Sequence, residues 1–91
     1  MRAQLTQAQL ERLTGRYALK EGIVLTVTVE DGHLFIREDD EEKQEYLPES
    51  SQDFYSTTSS DECTFQPAEG PAQVLGLHLD DGRNIEFKRV P

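Results

Sequence analysis

The sequence predicts a mainly β domain: an antiparallel up-and-down meander of about eight strands, curled into a barrel or half-barrel, with one short N-terminal helix. From residue 16 to residue 90, apolar and polar residues alternate with the period of two that marks a half-buried strand. Turn residues interrupt this alternation at the regular spacing of an all-β fold. The segments between strands are too short for the helical crossovers that parallel strands need, so we expect antiparallel pairing.

The helix is predicted over about residues 7–14. Thr6 is a typical N-cap residue, and Gln9, three positions later, completes a capping box. Gly15 stands where a glycine commonly ends a helix. These signals predict one short helix immediately before the first strand.

The helix carries a narrow apolar stripe. Leu10 and Leu13 are three residues apart and share one face, whereas Arg12 falls on the side expected to face water. We therefore expect the two leucines to cap one mouth or one edge of the sheet.

The first long hairpin has the clearest strand signature. Along residues 23–30 every second side chain is a branched apolar one, so one face of this strand is wholly apolar. Asp31-Gly32 follows, which is a residue pair that favours a type I′ turn, and residues 33–37 return. A shorter strand that contains Tyr17 and Leu19 is expected to precede this hairpin.

The remaining strands lie between clusters of turn residues. Pro48 is expected to close the fourth strand because proline donates no hydrogen bond to a ladder. Asp81-Gly82 repeats the hairpin signal of Asp31-Gly32. The predicted strands are 43–47, 53–57, 63–66, 73–80 and 84–90.

The acidic run at residues 38–42 is predicted to be a solvated turn, because like charges repel in a buried ladder. It does not fit a calcium-binding EF-hand loop, which needs glycine at its sixth position. A loop that begins at Asp39 or Asp40 has Gln44 or Glu45 there.

The inward-facing side chains are nearly all large and include most of the apolar residues of the chain. If they lined an open cup, each would lose much of the ~1.5–3 kcal/mol that full burial contributes. We therefore predict a filled interior with no enclosed cavity of the ~300 Å³ typical of ligand sites, and partner contact through the outside of the sheet. The predicted inward set is Tyr17, Leu19, Ile23, Leu25, Val27, Val29, Leu34, Ile36, Phe54, Phe65, Leu75, Leu77, Leu79, Ile85 and Phe87.

Length and charge limit the possible functions. The 91 residues suffice for one domain, residues 1–91, and 18 Asp and Glu against 9 Lys and Arg give a net charge of −9. Such a surface repels nucleic-acid phosphates and anionic lipids, so neither nucleic acid nor a membrane is an expected partner. Residues 1–4 contain no apolar stretch that would predict a signal peptide.

Residues that commonly carry chemistry are few. The motifs Gly-x-Ser-x-Gly, Ser-x-x-Lys and His-Glu-x-x-His do not occur. His33 and His78 are the only imidazoles and fall on the polar faces of their strands, where we expect them to be solvated. Cys63 follows Asp61 and Glu62, whose charges raise a thiol pKa, so a structural role is expected. We therefore predict no enzyme and no catalytic, cofactor-binding or metal-binding residue.

Several short motifs add a family resemblance. Gly15-Arg16-Tyr17, Pro48-Glu49-Ser50 before Phe54-Tyr55, and the closing Lys88-Arg89-Val90 occur in that order. With the hairpins between them, they resemble a small domain of unknown function found at the C-terminus of beta-lactamase-related serine hydrolases and of other, mostly extracytoplasmic, bacterial proteins. The resemblance implies a lipocalin-like barrel or half-barrel without active-site residues. It also implies a periplasmic or extracellular location if the chain is part of a longer protein.

Two functions are compatible with this reading. The first is a noncatalytic accessory or interaction module that docks on a catalytic, hydrolase-type domain in the same or another chain, or regulates access to it. The alternative is a stand-alone, lipocalin-like binder of a small apolar ligand. The resemblance and the missing catalytic motifs favour the first, and the oligomeric state stays open.

Overall fold

The computed structural model describes residues 5–19, 22–67, 70–79 and 81–90. It shows a closed barrel of eight antiparallel strands in sequence order and one short helix, which confirms the predicted fold class. The strand β1 closes the barrel by pairing with both β2 and β8. The elements are α1 (Gln7–Glu11), β1 (Gly15–Ala18), β2 (Val24–Glu30), β3 (His33–Glu38), β4 (Gln44–Pro48), β5 (Asp53–Ser56), β6 (Glu62–Gln66), β7 (Val74–His78) and β8 (Asn84–Val90).

The connections between strands alternate between the two ends of the barrel, because neighbouring strands run in opposite directions. Residues 31–32, 49–52 and 67–73 connect strands at the end where α1 lies, which we name the capped end. The other end, named the open end, carries the connections 19–23, 39–43, 57–61 and 79–83. Three of the predictions above concern residues outside the described part of the chain. They are the absence of a signal peptide at residues 1–4, the turn at residues 68 and 69, and the strand end at residue 80.

The helix is shorter than predicted at its C-terminal end. The capping box of Thr6 and Gln9 is present, but α1 ends at Glu11 instead of near residue 14. The next backbone bonds, from the Leu13 amide to the Leu10 carbonyl at 3.0 Å and from the Thr14 amide to the Glu11 carbonyl at 3.2 Å, span three residues and tighten the last turn. The chain then enters β1, so the predicted helix boundary was wrong by one turn.

Gly15 has a role other than the predicted helix cap. Its φ of 140° is one that residues with a side chain rarely adopt. A Cβ at this position would also collide with the guanidinium of Arg89. Glycine therefore allows the last strand's arginine to pass directly over the first strand.

The two hairpin turns differ, although both contain Asp-Gly. Asp31 (φ 53°) and Gly32 (φ 79°) have the two positive φ angles of a type I′ turn, as predicted. At the other hairpin, the Leu79 amide donates to the Arg83 carbonyl at 2.8 Å, so three residues lie between the bonded pair. The predicted repeat of the two-residue turn is therefore wrong. A three-residue loop needs a positive φ at its last position, and Gly82 (φ 92°) supplies it.

Most strand boundaries lie within one or two residues of the prediction, and β8 matches it. Pro48 does not follow β4 but ends it, paired with Phe54 of β5. The strand β7 ends at His78, because Leu79 already belongs to the turn.

Large side chains fill the barrel. Tyr17, Phe54 and Phe65 are fully buried, and the Phe65 ring makes edge contacts with both others at centroid distances of 5.9 and 5.6 Å. The predicted inward residues are buried or partly buried, and Leu10 and Leu13 cover the capped end as expected. The predicted inward set lacks four further buried residues: Tyr46, Ser56, Cys63 and Ala72.

Candidate functional site

The two histidines do not form a common site. His33 begins β3 at the capped end, whereas His78 ends β7 at the open end. Both lie on the outer face, as predicted, but neither is simply solvated: His33 Nδ1 is 2.5 Å from Glu45 Oε2, and His78 is half-buried. In the described ranges, no group of three or more His, Cys, Asp or Glu side chains could hold a metal ion.

Cys63 is a core residue. Its side chain faces the barrel interior and is 1% exposed. Burial, and then the charges of Asp53 and Glu62, raise the pKa of the Cys63 thiol far above its ordinary value. A thiol that stays protonated is a poor nucleophile, so the structural role expected from the sequence agrees with its environment.

The outer face of β6, β7 and β8 contains an open groove with a volume of about 370 Å³. At its centre Gly76 pairs with Thr64 on one side and Glu86 on the other, so the middle strand presents no side chain between them. The groove is lined by Thr64, Gln66, Val74, Gly76, His78, Asn84, Ile85 and Glu86.

The backbone does not require a glycine at position 76. Its φ lies outside the left-handed region, and an added Cβ would meet only the Thr64 carbonyl oxygen, at an ordinary contact distance of 3.7 Å. A glycine inside a strand weakens that strand, and it often marks a place where a ligand or another backbone approaches closely. Gly76 is therefore the residue of this face that packing within the barrel does not explain.

A chain of hydrogen bonds holds one wall of the groove in place. The Thr64 hydroxyl donates to Asp53 Oδ1 at 2.7 Å and lies 3.3 Å from His78 Nε2. His78 Nδ1 is 2.6 Å from Asn84 Oδ1, so both ring nitrogens are engaged. Because the Thr64 proton points to Asp53 instead of His78, this arrangement is not that of a base-activated nucleophile. It fixes a polar wall beside the Gly76 notch.

A family model described as a domain of unknown function, DUF3471, matches residues 1–89. The chain belongs to the DUF3471 family. The resemblance to a small domain of unknown function is thereby confirmed. Searches of curated proteins and of solved structures found no match.

The groove of this DUF3471 domain was missed by the sequence reading, although one signal was available. Gly76 stands between Leu75 and Leu77, at a position that the alternation assigns to the outer face. A glycine at such a position in a strand can be noticed from the sequence alone. The bonded set of Asp53, Thr64 and His78 could not be noticed, because it depends on the pairing of three strands. Within the described residues of the domain, no helix has the length and hydropathy to cross a membrane.

Proposed function

We propose that this DUF3471 domain is a noncatalytic interaction module that docks on a catalytic domain of the beta-lactamase-related serine hydrolase type. The observation that supports this most directly is the notch at Gly76, which weakens β7 without serving the barrel itself. A segment of the partner that lies in the groove would contact the sheet backbone between Thr64 and Glu86.

The architecture favours the outer face over other modes of docking. A closed barrel has no free edge strand, so a partner cannot add a strand to the sheet. The capped end is already covered by the buried Leu10 and Leu13. The outer groove offers hydrogen-bonding groups on a rigid sheet, which is how a binding site is best held in place.

The alternative function, a lipocalin-like carrier of a small apolar ligand, needs space inside the barrel. Tyr17, Phe54 and Phe65 occupy that space and are fully buried. A carrier would have to displace these rings from a core in which they pack against one another. The filled core therefore favours the interaction module.

Site-specific photo-crosslinking in the native host tests the proposal. A photoreactive residue is introduced at Gln66, on the groove, or at Thr28, an exposed outward position of β2 that serves as the matched control. We expect crosslinks from Gln66 to a protein that also reacts with a fluorophosphonate probe for serine hydrolases, and we expect none from Thr28. Equal crosslinking from both positions, or a crosslinked protein without hydrolase reactivity, would contradict the proposal.

The variant Gly76→Val separates docking from folding. A branched side chain fills the notch but suits a strand, so we expect thermal stability to be retained or slightly raised. The crosslink from Gln66 should be lost in this variant. If Gly76→Val keeps the full crosslink, the groove is not the docking site.

A further inference from the structure

The open end of the barrel contains a second, smaller cavity of about 160 Å³. One water molecule occupies ~30 Å³ in the liquid, so this volume corresponds to about five waters. The cavity therefore suits a group of about five heavy atoms. It is smaller than the ~300 Å³ at which sites for larger ligands begin. Its apolar lining consists of Leu25, Ile36, Leu77 and Leu79, together with the ring of Tyr46.

Carboxylates form the rim of this cavity: Glu38, Glu41, Glu42 and Asp61. None of them belongs to an ion pair among the described residues, since the nearby cations are engaged elsewhere. Arg37 pairs with Asp40 at 3.5 Å, and Lys43 pairs with Glu30. An apolar cleft rimmed by charges of one sign concentrates the electrostatic potential of that sign. The mouth therefore attracts a cation.

Tyr46 supplies an unused polar atom at the same place. The residue is 6% exposed, and its hydroxyl makes no hydrogen bond within the described structure. Every fully enclosed side-chain nitrogen and oxygen there does have a partner, so the Tyr46 hydroxyl must be reached from the cavity. Burial first, and then nearby acidic groups that include the rim carboxylates Asp61 and Glu38, raise the pKa of Tyr46 to about 12. This hydroxyl is therefore available to a polar group that enters the cavity, and such a group would give it the hydrogen-bond partner that nearly buried polar atoms ordinarily have.

We propose that the open end binds the side chain of a lysine that a partner polypeptide presents. A lysine side chain has four methylenes and one nitrogen, which matches the size of the cavity. The stem would lie on Leu77 and Leu79, and the ammonium would donate to the Tyr46 hydroxyl and to the carboxylates of the rim. This inference does not rest on the groove at Gly76.

Titration of the ¹⁵N-labelled full chain with short peptides tests this inference by NMR. The peptide acetyl-Gly-Lys-Gly-amide is compared with the same peptide carrying norleucine, which has the four carbons but no charge. We expect saturable shifts at open-end residues with a Kd of about 1 mM for the lysine peptide, and binding at least about tenfold weaker for the norleucine peptide. Added salt should lower the affinity for the lysine peptide, because salt screens the charges of a rim that is exposed to solvent.

Two charge-matched variants show whether the rim itself is responsible. Glu42→Gln with Asp61→Asn removes two rim carboxylates, whereas Asp31→Asn with Glu86→Gln removes two exposed carboxylates elsewhere. We expect about a tenfold loss of affinity in the first and less than about a twofold change in the second. Tyr46→Phe should weaken binding without moving the binding site.

The proposal is overturned by any of four results. The norleucine peptide could bind as well as the lysine peptide, the two double variants could lose the same affinity, or the shifts could map outside the open end. Absence of saturation up to about 20 mM lysine peptide would also overturn it. Unchanged amide spectra of the free variants show that none of these results comes from unfolding.

Discussion

The two ends of the barrel differ in burial and in whether their polar groups are paired. At the capped end, Leu13 is fully buried and its carbonyl accepts from the buried Tyr17 hydroxyl at 2.7 Å. At the open end, Leu79 is only partly buried, at a cavity whose rim carboxylates have no ion pairs among the described residues. One end of the barrel is therefore closed by the α1 segment, and the other end is accessible to solvent.

Two arginines explain how the α1 segment is held. Arg89 donates to the carbonyls of Thr14 (2.9 Å), Arg12 (3.3 Å) and Ala72, and to the Tyr17 hydroxyl at 2.9 Å. Its guanidinium carbon also lies 5.0 Å from the centroid of the Tyr17 ring. The Arg12 carbonyl also accepts from the Ala72 amide at 3.0 Å, so the segment after α1 and the connection between β6 and β7 are joined by two donors.

Arg12 extends the same arrangement to the neighbouring turns. Its guanidinium donates to the carbonyls of Ser51 at 3.0 Å, Pro67 at 2.9 Å and Gly70 at 3.2 Å. The expectation that Arg12 simply faces water is therefore wrong, because those turns converge on the helix. The comparison suggests that the capped end stabilises the fold, whereas the open end contributes less to stability and stays available for binding.

The largest expected difference comes from removing one leucine at each end. Leu13→Ala should lower the free energy of unfolding by about 2–5 kcal/mol, because it leaves a cavity under the helix. Leu79→Ala should cost less than about 1 kcal/mol, since that side chain is already partly exposed. Urea denaturation of both variants measures the two values. Equal losses would mean that the open end is as important for stability as the capped end.

A second contrast uses one arginine from each end. Arg89→Met keeps much of the apolar stem but removes the side-chain donor to the partly buried carbonyls of Thr14 and Ala72 and to the Tyr17 hydroxyl, so we expect a loss of about 2–3 kcal/mol. Arg83→Met removes only a pair with the exposed Asp81, at 2.8 Å, and should leave the urea midpoint unchanged. A loss in Arg83→Met comparable with that in Arg89→Met would contradict the proposed role of the capped end.

Much of this fold could be predicted from local sequence patterns, because strands and turns depend on near neighbours. Alternation identified the inward side chains, and Thr6 with Gln9 identified the start of α1. The capped end could not be predicted in detail, because the bond from Arg89 to the Arg12 carbonyl joins residues 77 positions apart. An arginine in a strand ordinarily indicates a solvated face.

The candidate sites were less predictable than the fold. Tyr46 was missed because its strand is short and flanked by charged residues, so alternation there is weak. The rim residues Glu38, Glu41 and Glu42 were correctly expected to be exposed, but the position of the rim around an apolar cavity depends on barrel closure. Sites assembled from several strands require the strand register, which the sequence alone does not supply.

The pH dependence of the free energy of unfolding tests the environment of Tyr46 at the open end. Its pKa is raised from 10.0 to about 12, first by burial and then by the neighbouring acidic groups Cys63, Asp61 and Glu38. The unfolded chain therefore loses the phenolic proton first, so the stabilisation is complete below about pH 10 and is lost as the pH rises towards 12. Between about pH 8 and pH 11, Tyr46→Phe should lose about 1 kcal/mol less stability than the unmodified chain. Identical losses in urea unfolding would show that Tyr46 does not titrate in this way.

The smallest effect is expected at the acidic turn of the open end, where residues 39–42 are exposed. Asp39 has a φ of 50°, and its Oδ1 accepts from the Val24 amide at 3.0 Å, so Asn is the substitution that preserves both features. Asp39→Asn combined with serine at 40, 41 and 42 should change the free energy of unfolding by no more than about 0.5 kcal/mol, with relief of repulsion favouring a slight gain. Calcium should not raise the melting temperature of the unmodified domain or of this variant, because these carboxylates do not form an EF-hand loop. A calcium-dependent rise of several degrees that disappears in the variant would demonstrate selective binding to the folded state and would assign a metal to the open end in place of a lysine.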